Sequence, residues 1–167
     1  MIWPFRRKSK KRMARIVIDE PITSSTRVSV LKALKQIEDR EFPALILRID
    51  SPGGTVGDSQ EIYSAIKRLK EKGCKVVASF GNISASGGVY IGVASDKIVA
   101  NPGTITGSIG VIIRGNNLSE LLNKIGIKFE TVKSGIYKDI LSPDKPLSKE
   151  GRELLQGLID ESYKQFT

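Results

Sequence analysis

Two short serine-glycine clusters in this sequence carry the residue types of an acyl-transfer site: Ser51-Pro52-Gly53-Gly54 and Ala85-Ser86-Gly87-Gly88. A serine hydroxyl can attack a carbonyl carbon, and backbone N–H groups beside glycine can hold the oxyanion that results. The attack needs a base to take the hydroxyl proton, and the chain has no histidine. A Ser-His-Asp triad therefore cannot be built within it. If Ser86 is the nucleophile, lysine is the base best suited to serve it, and the candidate is Lys138, in Ser134-Gly135-Ile136-Tyr137-Lys138-Asp139. A lysine acts as a base only as a neutral amine, which requires desolvation or neighbouring positive charge. Tyr137, Ile140 and the apolar stretch 129–132 offer partial burial. Each feature also has a plainer reading. Pro-Gly-Gly makes a tight turn, Ser86 competes with Ser84 for a helix N-cap, and most lysines are solvated.

The elements that must position these residues alternate between strand and helix. The apolar stretches 15–18, 44–49, 75–80, 97–100 and 129–133 read as strands. A helix after Ser24 and Ser25, either of which can cap it, turns Val28, Leu31, Leu34 and Ile37 to one side. A second helix presents Ile62, Ala65, Ile66 and Leu69 and ends at Gly73. Residues 84–94 read as a small-residue helix, 102–110 as a glycine-rich turn, 118–125 as a short helix and 148–166 as a strongly helical end. Strands separated by helices imply a parallel sheet with helical crossovers. Both serine clusters then leave the carboxyl ends of buried strands, the usual place for a site in an α/β sheet. A serine at 86 sits in the positive field of a helix N-terminus, with the Gly87 N–H directed at an oxyanion. No internal repeat is visible, and the short loops predict one compact domain over 15–167.

Composition narrows the function classes. With 167 residues, 40% hydrophobic and 27% charged, the chain suits an ordinary globular domain. The net charge of +9 first suggests nucleic acid, but seven of the 27 basic residues lie in 1–15, where there is no acid. The excess charge belongs to a basic tail, 1–14, and no basic-aromatic surface recurs in the body, so nucleic acid is not an expected partner. Trp3 and Phe5 ahead of the basic cluster suit an anionic membrane surface, which predicts peripheral contact through residues 1–12; a solvated tail reads equally well. No apolar run reaches the length of a secretory core or a membrane span. One cysteine, Cys74, allows no internal disulfide, and without histidine a metal site is not expected; no cofactor is implied.

Together the motifs resemble one family: the signal peptide peptidase A family of Ser/Lys serine proteases, in the Clp/crotonase-like fold group. The segments that carry the resemblance are Arg48-Ile49-Asp50-Ser51-Pro52-Gly53-Gly54, Ser84-Ala85-Ser86-Gly87-Gly88-Val89-Tyr90-Ile91, Ala94-Ser95-Asp96-Lys97-Ile98, Thr106-Gly107-Ser108-Ile109-Gly110-Val111 and Lys133-Ser134-Gly135-Ile136-Tyr137-Lys138-Asp139-Ile140. The resemblance implies an α/β spiral of β-β-α units with a largely parallel sheet. It implies Ser86 as nucleophile, Lys138 as general base, Ser108 orienting the lysine amine, and Gly87 with Gly53 or Gly54 as the oxyanion hole. The implied enzyme is an ATP-independent, membrane-associated bacterial-type serine endopeptidase, a homo-oligomeric ring whose Ser and Lys meet across a subunit boundary. Its substrates would be residual signal peptides or other membrane-associated peptides. An ATP-driven Clp-type site needs a histidine and fits badly. The family continues beyond the equivalent of Thr167 with a further strand-and-helix segment, so the chain is expected to be C-terminally short. The alternative is a catalytically inactive crotonase-like binding or assembly module at a membrane surface.

Overall fold

The computed structural model describes residues 12–167, so the basic tail, except Arg12 onward, lies outside the described residues. The chain divides into two compact units, one ending at Ile109 and one spanning Gly110–Thr167. In the first, β1 (Met13–Ile18), α1 (Ser24–Asp39), β2 (Ala44–Ser51), α2 (Val56–Glu71), β3 (Lys75–Ala85), α3 (Gly87–Gly92), β4 (Lys97–Val99) and β5 (Ile105–Gly107) follow in order. The strands form one sheet in the order β1-β2-β3-β4, with β5 also on β3, and every pairing is parallel. This is the largely parallel α/β sheet that the resemblance implies, with helices making the crossovers.

Alternation along β2 explains where the core sits. Leu45, Leu47, Ile49 and Ser51 are buried while the residues between them are half-buried. Val30, Leu34 and Ile37 of α1 and Ile62, Ile66 and Leu69 of α2 join the same core at helical spacing. Each fully buried Ile or Leu contributes about 1.5–3 kcal/mol over an exposed one, and here they cover the sheet that carries the serine clusters. The α1 face departs from expectation by two residues: Val28 is exposed and Val30 takes its place. The reason is angular: at 3.6 residues per turn Val28 lies about 120° around the helix from Leu34, and Val30 only about 40°. The helix start differs as well. Thr23, rather than Ser24 or Ser25, is the N-cap, and its N–H donates to Thr26 Oγ1 at 3.3 Å.

Two further expectations are corrected. The helix expected over 84–94 is a strand as far as Ala85 and a helix only from Gly87. β5 causes this: Ile83, Ser84 and Ala85 pair with Ile105, Thr106 and Gly107, so the ladder outlasts the apolar run. The stretch 102–110, expected as a turn, supplies that strand. The strand expected over 129–133 is absent from the second unit, and Phe129 and Val132 are exposed. No strand of that unit lies beside it, and an extended segment without a ladder partner is not a strand. The second unit instead holds α4 (Ser119–Lys124) and α5 (Lys149–Phe166), the latter capped by Ser148, whose Oγ accepts from Gly151 N–H at 3.0 Å. Among the described residues no helix is long and apolar enough to cross a membrane.

Candidate active site

The site begins with a register shift. Ile49 pairs with Phe80, but Ser51 pairs with Ser84, so β3 carries two extra residues between those pairs. The Asp50 carboxylate fills the resulting bulge. It accepts the Ile83 N–H at 3.0 Å and the Asn82 N–H, and these bonds hold its pKa below the ordinary aspartate value. Arg48 ties down the same stretch, donating to Ser79 Oγ at 3.1 Å and to the Phe80 carbonyl at 2.9 Å. β2 and the bulged end of β3 therefore finish together, and the two serine-glycine clusters emerge side by side.

Within the first cluster, Ser51 is fully buried. Its Oγ donates to Glu20 O at 2.7 Å and accepts from Gly53 N–H at 3.2 Å. The loop is sewn to Ile22 on its other side, through Ile22 N–H to Gly53 O at 2.9 Å and Thr55 N–H to Ile22 O at 3.0 Å. Gly53, at φ +97°, lies against the second cluster: a Cβ there would sit 2.7 Å from Gly87 N and 2.8 Å from Ser86 Cβ. Side chains are excluded because backbone meets backbone.

Ser84 and Ser86 part company in this geometry. Ser84 is fully buried and its Oγ donates to Ile49 O at 2.8 Å. Ser86 is half-buried with φ +51° and ψ −120°, a backbone conformation that L residues rarely take. It stands at the N-cap of α3, yet its side chain makes no cap bond. The helix ladder starts with Tyr90 N–H to Ser86 O at 3.0 Å, which leaves the first-turn N–H groups, Gly87 among them, outside that ladder. Ser86 N–H donates to Gly107 O at 2.8 Å. Next in the chain, Ser108 also has positive φ, +54°, and is exposed. Among the described residues only Glu41, Ser86 and Ser108 combine a side chain with positive φ, so two of the three are serines that the sequence had already singled out. The first unit thus gathers Gly53, Gly54, Ser86, Gly87 and Ser108. One turn beyond Ser86, Tyr90 stacks on Tyr63 with ring centroids 4.8 Å apart.

Lys138 belongs to the second unit and is exposed there, not partly buried as its apolar neighbours suggested. The absent strand over 129–133 is the reason. Lys138 N–H reaches Gly135 O at 3.4 Å. The loop around it is fastened by Asp139, whose Oδ1 accepts from Lys133 Nζ at 2.6 Å and whose Oδ2 accepts from Lys145 Nζ at 2.5 Å. Lys133, then Lys145, lowers the Asp139 pKa to about 2. Sequence reading assigned no role to Asp50, Ser51 or Asp139. Ser51 alone left a signal, as a polar residue in the inward phase of Leu45, Leu47 and Ile49.

Two family profiles match the chain: Peptidase family S49 over residues 68–167, and Clp protease over residues 7–104. A Synechocystis protein, slr0021, named as a candidate protease, is 62% identical over 99% of this chain and 60% of its own length. The chloroplastic serine protease SPPA of Arabidopsis thaliana is 39% identical over 77% of this chain and 19% of its own length. Protease 4 of Salmonella typhi is 38% identical over 77% of this chain and 21% of its own length. The chain thus spans less than two thirds of each of these relatives, from 19% to 60% of their length. Among solved structures, a serine-to-alanine mutant of the membrane-bound stomatin-specific protease 1510-N superposes with a TM-score of 0.55 at 25% identity, over 65% of this chain and 52% of that one. A lysine-to-alanine mutant of the same protease, in complex with a substrate peptide, gives 0.50 at 27% identity over 63% and 47%. A mutant of ClpP1 from Listeria monocytogenes gives 0.50 at 20% identity over 91% and 75%, a likeness of fold.

Proposed function

The chain belongs to peptidase family S49, the signal peptide peptidase A family, and on that premise we propose that it is a serine endopeptidase with a Ser86–Lys138 dyad. Ser86 Oγ attacks the peptide carbonyl and Lys138, as a neutral amine, takes its proton. The oxyanion is held by Gly87 N–H and by one glycine of the other cluster. Of the two, Gly54 is the donor we assign, because Gly53 N–H is engaged by Ser51 Oγ. Lys138 then gives the proton to the departing amine, and water resolves the acyl-enzyme with the lysine again as base. Ser108 hydrogen-bonds the lysine amine and orients it.

The observation that carries this reading is the backbone of Ser86. A serine whose side chain makes no cap bond, held at positive φ against Gly53, at the head of a helix, is what an exposed nucleophile requires and what a simple cap does not. The lysine-to-alanine mutant of the stomatin-specific protease, seen with a substrate peptide, agrees with a reacting lysine. Lacking histidine, the chain cannot supply a Clp-type triad despite matching that profile. Substrates are membrane-associated peptides, residual signal peptides among them, and attachment to the membrane is peripheral, through residues 1–12. Assembly is a ring in which neighbouring subunits complete each site.

Labelling with a fluorophosphonate probe tests the dyad. The wild-type chain should be labelled and Ser86→Ala should not, while Ser84→Ala keeps its label and loses about 1 kcal/mol of stability with its buried hydrogen bond. Lys138→Arg should label as poorly as Lys138→Ala, since arginine cannot give up a proton at working pH. Full labelling of Ser86→Ala moves the nucleophile elsewhere, and full labelling of Lys138→Arg removes lysine as the base.

A further inference from the structure

We propose that Asp139 is the positioning residue of the base: held between Lys133 and Lys145, it closes the loop that carries Lys138 and is kept from pairing with Lys138 itself. The inference rests on Lys138 being the base. Asp139 stands six residues after Lys133 and six before Lys145, with one carboxylate oxygen on each amine. Lys133 Nζ also donates to Ile136 O at 3.3 Å, inside the loop it closes. The side chains of Asp139 and Lys133 are only 19% and 30% exposed, so this is not a freely solvated pair. Single exposed ion pairs are worth little, but here one carboxylate fastens two loops at their common point.

The placement also keeps the carboxylate engaged. Asp139 follows Lys138 directly in the chain, and each of its oxygens already holds another amine. Within this unit Asp144 acts on Lys145, and Arg114, Lys145 and Arg152 line one cavity of about 470 Å³.

Asp139→Asn, Lys133→Met and Lys138→Ala in the full chain test this, by two readouts. Peptide hydrolysis across pH should show kcat falling about tenfold or more in Asp139→Asn and Lys133→Met, with KM within about twofold, as expected for a displaced catalytic group. The melting temperature, read beside it, separates placement from folding: kcat should fall in both variants under conditions where both remain folded. A residue that only held the fold would lower the melting temperature and leave the kcat of the folded enzyme unchanged. Unchanged kcat in both folded variants overturns the proposal. Wild-type turnover by Lys138→Ala would instead overturn the base reading, and with it the catalytic half of the inference, while the melting temperatures still decide the clasp.

Discussion

At the scale of single residues, carboxylates do the positioning. Asp50 receives the N–H groups of a bulge, Asp96 accepts the Val76 N–H at 2.8 Å, and Asp139 joins two lysines. Each has its pKa lowered, chiefly by the bonds it accepts. The consequence for pH follows from the sign. The folded pKa of Asp139, about 2, lies below its ordinary 3.8. Its contribution to stability is therefore fully present above that ordinary value and lost as pH falls toward the folded one. Circular dichroism across that acid range should show Asp139→Asn flattening the loss of structure relative to wild type. An identical acid profile in the two proteins would falsify the assignment of acid sensitivity to this clasp.

At the scale of elements, the two glycine loops are one construction. A Cβ on Gly54 would lie 1.9 Å from the Ile22 carbonyl oxygen, and backbone cannot yield as a side-chain tip can. Gly54→Ala should therefore lower the melting temperature and abolish turnover together, with a loss above about 3 kcal/mol on the scale of severe point mutations. A wild-type melt would show that the loop moves freely. Much of this architecture was legible beforehand. Buried runs gave β2 and β3, helical spacing gave the inward face of α2, and clustered Ser and Gly marked both loops. What escaped the sequence was non-local. The continuation of β3 to Ala85 depends on pairing with β5, twenty-two residues away in register. Apolar alternation over 129–133 looks like a strand, but a strand exists only where another lies beside it. The start of α1 was misjudged because Thr23 and Thr26 cap it as a pair, while Ser24 and Ser25 lie in the first turn. Ser86 was legible as a serine before a helix; its positive φ was not, since it arises from the meeting of two loops.

At the scale of the whole molecule, the shared-site proposal makes a concerted claim: neither serine nor lysine alone defines a working subunit. Mixing Ser86→Ala with Lys138→Ala chains under conditions where subunits exchange should restore part of the peptidase activity that each lacks. Demonstrated exchange without activity sinks the shared site. The backbone of Ser86 carries a last consequence, for how such a protein can be improved. Non-glycine residues held in sparsely populated conformations cost about 1–3 kcal/mol each, and glycine would adopt φ +51°, ψ −120° with little strain. Greater freedom in the unfolded chain offsets part of the gain. Ser86→Gly should still melt about 2–4 °C above wild type, while having no nucleophile at all. A library of this chain sorted on heat resistance alone would thus enrich dead molecules, and any search for a sturdier version must be selected on turnover as well as on survival.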